Sequence, residues 1–368
     1  MHTAMKLLLC LLLAAALLAG CAKEEEAPAQ QSLKDLLSSE VLSQQQQEAE
    51  EEPAPEEPEA LPEEIPEEVP EEEPAQRPAQ IIEETPAEEP EAVEEVPEEA
   101  AVPSFPEELA LESLQAFVYD CERGEVLAMK GEGERLSPAS VTKLLSILTA
   151  LDYVPADAVI RPGEEQVLVA ADSSIAYVNS EHTLTAAQLV EGMLLPSGND
   201  AACALAAAAG RAAAGDESLA ALDAVDVFVE KMNEKAAALG MSGSHFVTPD
   251  GYYDENHYTT VEDMVALTVA AWDNELIRRY SGIAIDEVVY HSGHTNTWTN
   301  TNYMLHEGSG WYSPYVKGIK TGSLTNAYCL VVSIEKDGHT WLAGVFSGVD
   351  DYDRYGDMTA IVNWLTAE

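Results

Sequence analysis

Basic residues are scarce in this chain: 18 lysines and arginines stand against 67 aspartates and glutamates, for a net charge of −49. Binding to a phosphate backbone requires lysine and arginine, so this balance excludes a nucleic-acid-binding protein. Hydrophobic residues make up 46% of the chain, which is enough for a packed core.

Cysteine is also rare, with five in 368 residues: Cys10, Cys21, Cys121, Cys203 and Cys329. The wide spacing of the last three forms no metal-binding pattern and allows one disulfide at most. We therefore exclude a disulfide-rich scaffold and expect these three to be buried free thiols.

A long hydrophobic run is missing as well. The apolar stretch Leu7–Leu18 is too short to span a bilayer comfortably and follows Lys6, so residues 1–21 are predicted to be a signal peptide. The stretch ends in Leu-Ala-Gly-Cys, which resembles the cleavage box of bacterial lipoproteins. The resemblance implies that Cys21 carries the lipid of an anchored, extracytoplasmic protein. An ordinary cleaved signal with a coincidental cysteine is the alternative.

Apart from residues 32–47, which are compatible with a transient helix, the segment 22–108 has neither a helical nor a strand period. The segment holds 30 acidic residues against Lys23, Lys34 and Arg77, together with 14 of the 20 prolines. Such a segment has too little apolar surface to bury, so we predict a disordered, extended linker. The folded domain is expected over residues 109–368.

Two hairpins are predicted at opposite ends of this domain. Leu114–Asp120 and Glu125–Lys130 flank a turn at Gly124, and Tyr328–Ile334 and His339–Phe346 flank a Lys-Asp-Gly turn. Cap residues and helical periodicity predict helices over residues 185–195, 200–214, 217–239, 259–272 and 355–365. This order favours the α+β class of α/β protein, in which both hairpins form one antiparallel sheet flanked by helices, with a helical subdomain beside it.

The stretch Pro138–Leu151, PASVTKLLSILTAL, places Ser140 three residues before Lys143 at the head of an apolar run with helical spacing. On a helix, residues three apart share a face, so the lysine can reach the serine hydroxyl. A buried lysine with a lowered pKa can activate a serine nucleophile. S-x-x-K alone arises often by chance, and a capping serine beside a surface lysine is the usual arrangement.

Two later motifs add weight to this pair. Ser197 and Asn199 lie in an S-x-N sequence between two predicted helices, and K-T-G at Lys320, Thr321 and Gly322 precedes the last hairpin. The lysine and threonine can bind a substrate carboxylate, and the glycine allows close approach of the backbone. The ordered set S-x-x-K, S-x-N and K-T-G is typical of β-lactamases and penicillin-binding proteins.

The flanking sequences narrow this resemblance. PASVTK at 138–143, LLPSGNDAA at 194–202, TPDGYYDENHYTT at 248–260 and KGIKTG at 317–322 resemble the D-alanyl-D-alanine carboxypeptidase family of low-molecular-mass penicillin-binding proteins. The resemblance covers residues 110–368. It implies the β-lactamase/transpeptidase-like fold and a monomeric serine peptidase that cleaves peptidoglycan stem peptides, needs no metal or cofactor, and is acylated by β-lactams.

The resemblance also implies a role for each motif residue. Ser140 is the nucleophile and Lys143 accepts its proton, while Ser197 relays a proton to the leaving amine. Asn199 holds the lysine and the substrate amide. The substrate-binding residues are Lys320, Thr321, Gly322 and Ser323, with the N–H groups of Ser140 and Ser323 forming the oxyanion hole.

Three alternatives are weighed against this interpretation. A β-lactamase is disfavoured, because Gly198 replaces the aspartate of S-D-N and no E-x-x-L-N sequence lies between the second and third motifs. A non-catalytic wall-binding or β-lactam-sensing module would not need all of these polar residues. A zinc carboxypeptidase is disfavoured because H-E-x-x-H is absent and the histidines, such as His291 and His294, lack a zinc-ligand arrangement.

Overall fold

The computed structural model describes residues 102–367, so the predicted signal peptide, Cys21 and nearly all of the predicted linker lie outside the described residues. Five antiparallel strands form the main sheet in the order β2-β1-β9-β8-β7. Strand β1 from the first hairpin pairs with β9 from the last, with Gln115 opposite Phe346. The predicted joining of the two hairpins is therefore confirmed.

The strands of the described region are β1 (Gln115–Asp120), β2 (Glu125–Lys130), β3 (Val159–Ile160), β4 (Leu184–Thr185), β5 (Ile285–Val289), β6 (Thr295–Thr299), β7 (Val316–Leu324), β8 (Ala327–Lys336) and β9 (His339–Gly348). The short strands β3 and β4 pair with each other, and so do β5 and β6. Neither of these small two-stranded sheets was predicted.

The α-helices are α1 (Lys143–Ala150), α2 (Ala186–Leu194), α3 (Asn199–Ala214), α4 (Ala221–Ala238), α5 (Val261–Asp273), α6 (Glu275–Ser281) and α7 (Asp351–Thr366). Within residues 102–367, four short 3-10 helices span Glu107–Leu109, Ala139–Thr142, Glu164–Leu168 and Tyr303–Leu305. The predicted capping box of α2 is present, with Thr185 and Gln188 exchanging hydrogen bonds.

Several predicted boundaries were wrong. Thr260, not Thr259, caps α5 by accepting a hydrogen bond from the backbone of Asp263. Helix α4 begins at Ala221 instead of Glu217, and α7 begins four residues earlier than predicted, after the capping Asp350. Where several neighbouring residues can each serve as a helix cap, the sequence pattern alone does not show which of them begins the helix.

The sheet separates two hydrophobic cores. Successive strand residues point to opposite faces, so Phe117 packs with the helices on one face while Val118 packs with α7 on the other. Helix α1 is buried along its whole length inside the larger core. Because this helix begins at Lys143, the core fixes the position of one predicted site residue.

The three cysteines of the described region are free, but only Cys203 and Cys329 are buried and Cys121 is half-buried. The prediction of three buried thiols was therefore wrong for Cys121. Among the described residues, no helix has both the length and the apolar character needed to cross a membrane.

Candidate active site

Ser140 lies in a 3-10 turn, Ala139–Thr142, and not in the α-helix that was predicted to begin before it. The preceding Ala139 has a left-handed φ of 47°, an uncommon conformation for a residue other than glycine. The α-helix starts only at Lys143, whose Nζ lies 2.8 Å from Ser140 Oγ. The serine–lysine contact predicted from the sequence is thus present, on a turn that leads into the helix.

Lys143 is fully buried, and its Nζ donates to three acceptors. Besides Ser140 Oγ these are Asn199 Oδ1 at 2.7 Å and the backbone oxygen of Asp250 at 2.8 Å. Burial lowers the pKa of Lys143 from its usual range to about 8. A charged ammonium uses all three N–H groups here, so loss of one proton frees a lone pair that can accept from Ser140.

The second motif lies in the loop between α2 and α3. Ser197 has a φ of 61°, and Asn199 is the first residue of α3. The Asn199 amide nitrogen donates to Ser173 Oγ at 2.9 Å, so the same side chain contacts Lys143 and the neighbouring loop. We call one side of the site the helix-side wall. It consists of the Ala139–Thr142 turn, α1 and the start of α3.

Gly198 has no room for a side chain. A Cβ at this position would lie 2.6 Å from the Cβ of Ala176 and 2.7 Å from Asp200 Oδ1. The buried Asp200 carboxylate accepts hydrogen bonds from the backbone of Ala176 at 2.7 Å and Val178 at 2.9 Å, which holds their loop against α3. This packing explains in physical terms why glycine occupies the middle of S-x-N.

Strand β7 carries the third motif and forms what we call the strand-side wall. Lys320 is buried, and its Nζ donates to Ser197 Oγ at 2.8 Å and to the Thr321 backbone oxygen at 2.9 Å. Burial, and then the nearby charges of Lys143 and Arg354, lower the pKa of Lys320 well below its usual range. The structure therefore joins the second and third motifs directly.

Thr321 and Gly322 shape the meeting of the two walls. The Thr321 hydroxyl lies 2.6 Å from that of Thr301. A Cβ at Gly322 would lie 2.9 Å from the backbone oxygen of Pro138, so only glycine lets β7 approach the nucleophile turn this closely. The close approach expected of Gly322 is thus made to the Ser140 turn.

Two cavities meet at Ser140. The larger has a volume of about 440 Å³ and the smaller about 150 Å³, and both are lined by Ser140, Ser174 and Ser323. Thr321 and Ser197 line the smaller cavity and Asn199 lines the larger, whereas Lys320 lines neither. Lys320 therefore acts on this space through its contact with Ser197.

Arg354, from the first turn of α7, was not anticipated. It is 5% exposed, lines the smaller cavity, and donates to Gly322 O at 2.9 Å and Ser323 Oγ at 2.8 Å. It also forms an ion pair with Asp351. Because it follows the K-T-G motif by more than thirty residues and belongs to no local pattern, only the packing of α7 against the sheet brings it here.

Residues 248–251 were quoted only as flanking sequence, yet they complete the nucleophile's surroundings. Asp250 supplies the backbone oxygen that holds Lys143, and a side chain at Gly251 would overlap the carbonyl oxygen of Ala139. Behind them, His257 Nε2 lies 2.9 Å from Thr142 Oγ1, and burial lowers the pKa of His257 to about 4. This histidine is neutral at physiological pH and braces the turn.

Asp172 and Tyr252 were also missed as a pair. Both residues line the larger cavity, and the Tyr252 hydroxyl donates to Asp172 Oδ1 at 2.9 Å. His291 and His294 line neither cavity, and the ring of His294 lies against that of His182, with centroids 4.5 Å apart.

Comparison with known proteins agrees with this arrangement. Residues 101–349 match the family described as D-alanyl-D-alanine carboxypeptidase. A D-alanyl-D-alanine carboxypeptidase of Bacillus subtilis is 28% identical over 267 residues, 71% of this chain and 64% of that protein. The one from Streptomyces sp. strain K15 is 31% identical over 251 residues, 66% of this chain and 82% of its own length.

A solved structure of the Streptomyces K15 DD-transpeptidase is similar throughout. It superposes with a TM-score of 0.62 and 28% identity, covering 70% of this chain and 98% of the other.

Proposed function

Because the chain belongs to the D-alanyl-D-alanine carboxypeptidase family and has the β-lactamase/transpeptidase-like fold, we propose that it is a serine peptidase removing the terminal D-alanine from peptidoglycan stem peptides. The observation that carries this proposal is the buried Lys143 held 2.8 Å from Ser140 Oγ at the junction of two cavities. This is the geometry of a nucleophile and its base.

Acylation begins when neutral Lys143 takes the proton of Ser140. The serine oxygen then attacks the carbonyl carbon of the penultimate D-alanine and forms a tetrahedral oxyanion. The Asn199 side chain and the Asp250 backbone oxygen each accept one N–H of Lys143 and keep its nitrogen in place. The remaining position on the nitrogen faces Ser140 Oγ and exchanges the proton with it. Because the lysine pKa is about 8, a useful fraction of the base is neutral near physiological pH.

The oxyanion is assigned to the backbone N–H groups of Ser140 and Ser323. Gly322 brings β7 against the Ser140 turn: a Cβ built on this glycine would lie only 3.2 Å from Ser140 N. The two walls can therefore present N–H groups to one oxygen. Preorganised donors of this kind are worth roughly 3 kcal/mol each in the transition state.

Collapse of the intermediate requires a proton for the leaving amine. Ser197 Oγ accepts from Lys320 Nζ at 2.8 Å and lines the smaller cavity, so it can pass its own hydrogen to the amine of the departing D-alanine while Lys320 replaces that proton. The carboxylate of that D-alanine fits the same cavity, where the Thr321 hydroxyl and the Arg354 guanidinium provide donors and positive charge. Water then hydrolyses the acyl-enzyme.

β-Lactams would acylate the same serine. A β-lactamase would instead require rapid hydrolysis of that adduct. Among the described residues that line the two cavities, Asp172 is the only carboxylate, and its Oδ1 is occupied by the Tyr252 hydroxyl. This arrangement favours a long-lived penicillin adduct over rapid turnover.

The test uses the full-length chain with a diacyl-Lys-D-Ala-D-Ala peptide and, in parallel, a fluorescent penicillin. Released D-alanine that is blocked by penicillin, with a stable adduct on Ser140, is the expected result. Addition of an acceptor amine separates hydrolysis from transpeptidation, because the latter releases D-alanine and forms a new peptide. Rapid hydrolysis of the penicillin, or no reaction with either compound, would contradict the proposal.

We further propose that Cys21 anchors the mature monomer by lipid to the outer side of the cell membrane, with residues 22–108 as a spacer. The sequence supports this through the cleavage box and the acidic, proline-rich composition. Incorporation of labelled fatty acid should occur in the wild type and in Cys10→Ser, and be lost in Cys21→Ser. Equal labelling of Cys21→Ser would rule out the anchor.

A further inference from the structure

A second cluster of functional side chains lies at the end of the sheet where the β8–β9 turn meets the β1–β2 turn. Asp120 ends β1 and pairs with Trp341 of β9, while Glu122 lies in the β1–β2 turn and His339 is the first residue of β9. None of these three residues lines the two cavities of the proposed catalytic site.

The three side chains converge on one point. His339 Nε2 lies 3.1 Å from Asp120 Oδ2 and 3.0 Å from Glu122 Oε2. One ligand atom from each of the three residues can be chosen so that all lie within 4.8 Å of one another. Imidazole nitrogen with carboxylate oxygens is a donor set that suits zinc, and the imidazole disfavours magnesium and calcium.

The geometry at His339 fits a metal better than a hydrogen bond. Its Nε2 is buried and makes no hydrogen bond, although two carboxylate oxygens are within 3.1 Å. Both oxygens therefore lie well off the direction of an N–H bond. A nitrogen and an oxygen that both bind one zinc ion at about 2.0–2.2 Å lie roughly 3 Å apart, which agrees with both His339 distances.

The surrounding contacts fix all three ligands. Asp120 is 2% exposed, and its Oδ1 accepts the backbone N–H groups of Glu122 and Arg123, both at 3.0 Å, so that Oδ2 is turned toward the histidine. The Glu122 carboxylate accepts from the Thr340 backbone. The ring of His339 packs on Trp341, with centroids 4.2 Å apart. Such supporting contacts orient metal ligands.

One cation competes for this position. Arg123 Nε lies 3.6 Å from Asp120 Oδ2, but its side chain is 64% exposed and also contacts Glu125, so it can move aside. Two carboxylates and a neutral imidazole would give an electrically neutral complex with a divalent cation.

We propose that Asp120, Glu122 and His339 form a zinc site that joins the β1–β2 and β8–β9 turns, with water completing the coordination. The site is separate from the proposed catalytic cleft and stabilises the end of the sheet. It therefore predicts zinc-dependent stability without a requirement for zinc in peptide cleavage.

The test compares the full-length wild type with His339→Gln and Glu122→Gln after chelation and equilibrium dialysis against buffered zinc. His291→Gln is the matched control, since His291 is an exposed histidine outside the cluster. The wild type and the control should bind one more zinc ion per chain than either variant, and affinity in the variants should fall at least about tenfold. Every variant carries the same glutamate-rich segment, so weak zinc binding to that segment is equal in all of them and cancels in the comparison.

A second readout separates a ligand role from loss of a turn contact. Zinc should raise Tm by a few degrees in the wild type and His291→Gln but not in His339→Gln, and magnesium should raise it in none. Cobalt should give a visible absorption band that His339→Gln abolishes. Equal zinc binding by the wild type and His339→Gln, or loss of binding in His291→Gln as well, would overturn the proposal.

Discussion

On the helix-side wall of the cleft, Lys143 is surrounded by neutral acceptors, whereas on the strand-side wall a buried cation, Arg354, ties β7 to α7. The acceptors of Lys143 come from the serine turn, α3 and the 248–251 segment, so three separate parts of the chain fix one nitrogen. The guanidinium reaches Gly322 O and Ser323 Oγ from a single nitrogen.

This difference indicates that the two walls have different roles, one in proton transfer and one in positioning the strand and the substrate. Burial lowers the pKa of Lys143, and because none of its three hydrogen-bond acceptors is a carboxylate, the lysine can lose a proton, which suits a base. A guanidinium stays charged at every relevant pH, which suits a permanent anchor for a strand and for an anionic substrate group. Changes on the helix side should therefore affect chemistry, and changes on the strand side should affect substrate binding and position.

Removing the nucleophile tests this division with the largest expected effect. Ser140→Ala should lower D-alanine release at least about 10³-fold and abolish penicillin labelling, because no other hydroxyl contacts Lys143. Stopped assays of D-alanine and fluorescence of the labelled chain on a gel measure both effects. Ser174→Ala, which alters another cavity-lining serine, should keep the label; persistent labelling of Ser140→Ala would show that a different residue is acylated.

The pH profile tests the base itself. The pKa of Lys143 is lowered to about 8, so the neutral form, and with it the acylation rate, should rise about 50-fold from pH 6 to pH 8 and level off above about pH 9. Single-turnover penicillin labelling measures this rate directly. In Lys143→Arg the rising limb should disappear and the rate should fall at least about 10²-fold, since arginine does not deprotonate. An unchanged limb in that variant would assign it to another group.

Arg354→Lys probes the strand-side wall. The charge stays, but a single ammonium cannot reproduce at once the contacts of one guanidinium nitrogen with Gly322 O and Ser323 Oγ and of the other with Asp351, so we expect about a tenfold loss in kcat/KM for the peptide. The rising limb of the pH profile should keep its midpoint, because Lys143 is not altered. Arg161→Lys, on the surface, is the control. A shifted midpoint would mean that the two walls are not independent.

The smallest effect on catalysis is expected at the hydrogen bond between Tyr252 and Asp172. Tyr252→Phe removes the hydroxyl that donates to Asp172, an exposed hydrogen bond worth at the low end of about 0.5–1.5 kcal/mol. We expect less than about a threefold change in KM and none in kcat, measured by steady-state D-alanine release. Tyr177→Phe, at an exposed tyrosine outside the cleft, should have no effect. A change in kcat would give Tyr252 a part in the reaction.

The sequence predicted the residues whose position follows from local signals. Ser140 and Lys143 are three apart at a helix start, and Asn199 opens a helix after a glycine, so their placement needed no tertiary information. The joining of the terminal hairpins followed from the order of strands and helices. Their catalytic roles remain predictions that rest on the family resemblance.

Other features of the site depend on contacts that no local pattern carries. Asp250 holds Lys143 through a backbone oxygen from 107 residues away, and a backbone oxygen has no residue-specific signal. Arg354 reaches the site because α7 packs across the sheet. The interpretation of 138–151 as one helix was wrong at its start because the apolar period does not distinguish a 3-10 turn from the first turn of an α-helix.

The contact of Gly251 with Ala139 has a practical meaning for redesign of this protein. Residue 139 holds an uncommon backbone angle, and residue 251 fills the space against its carbonyl group with a hydrogen atom alone. A library intended to change the accepted stem peptide can therefore diversify Tyr252 and Tyr253, which border the larger cavity. It should keep glycine at 251, because any larger residue there would displace the serine before it altered the choice of substrate.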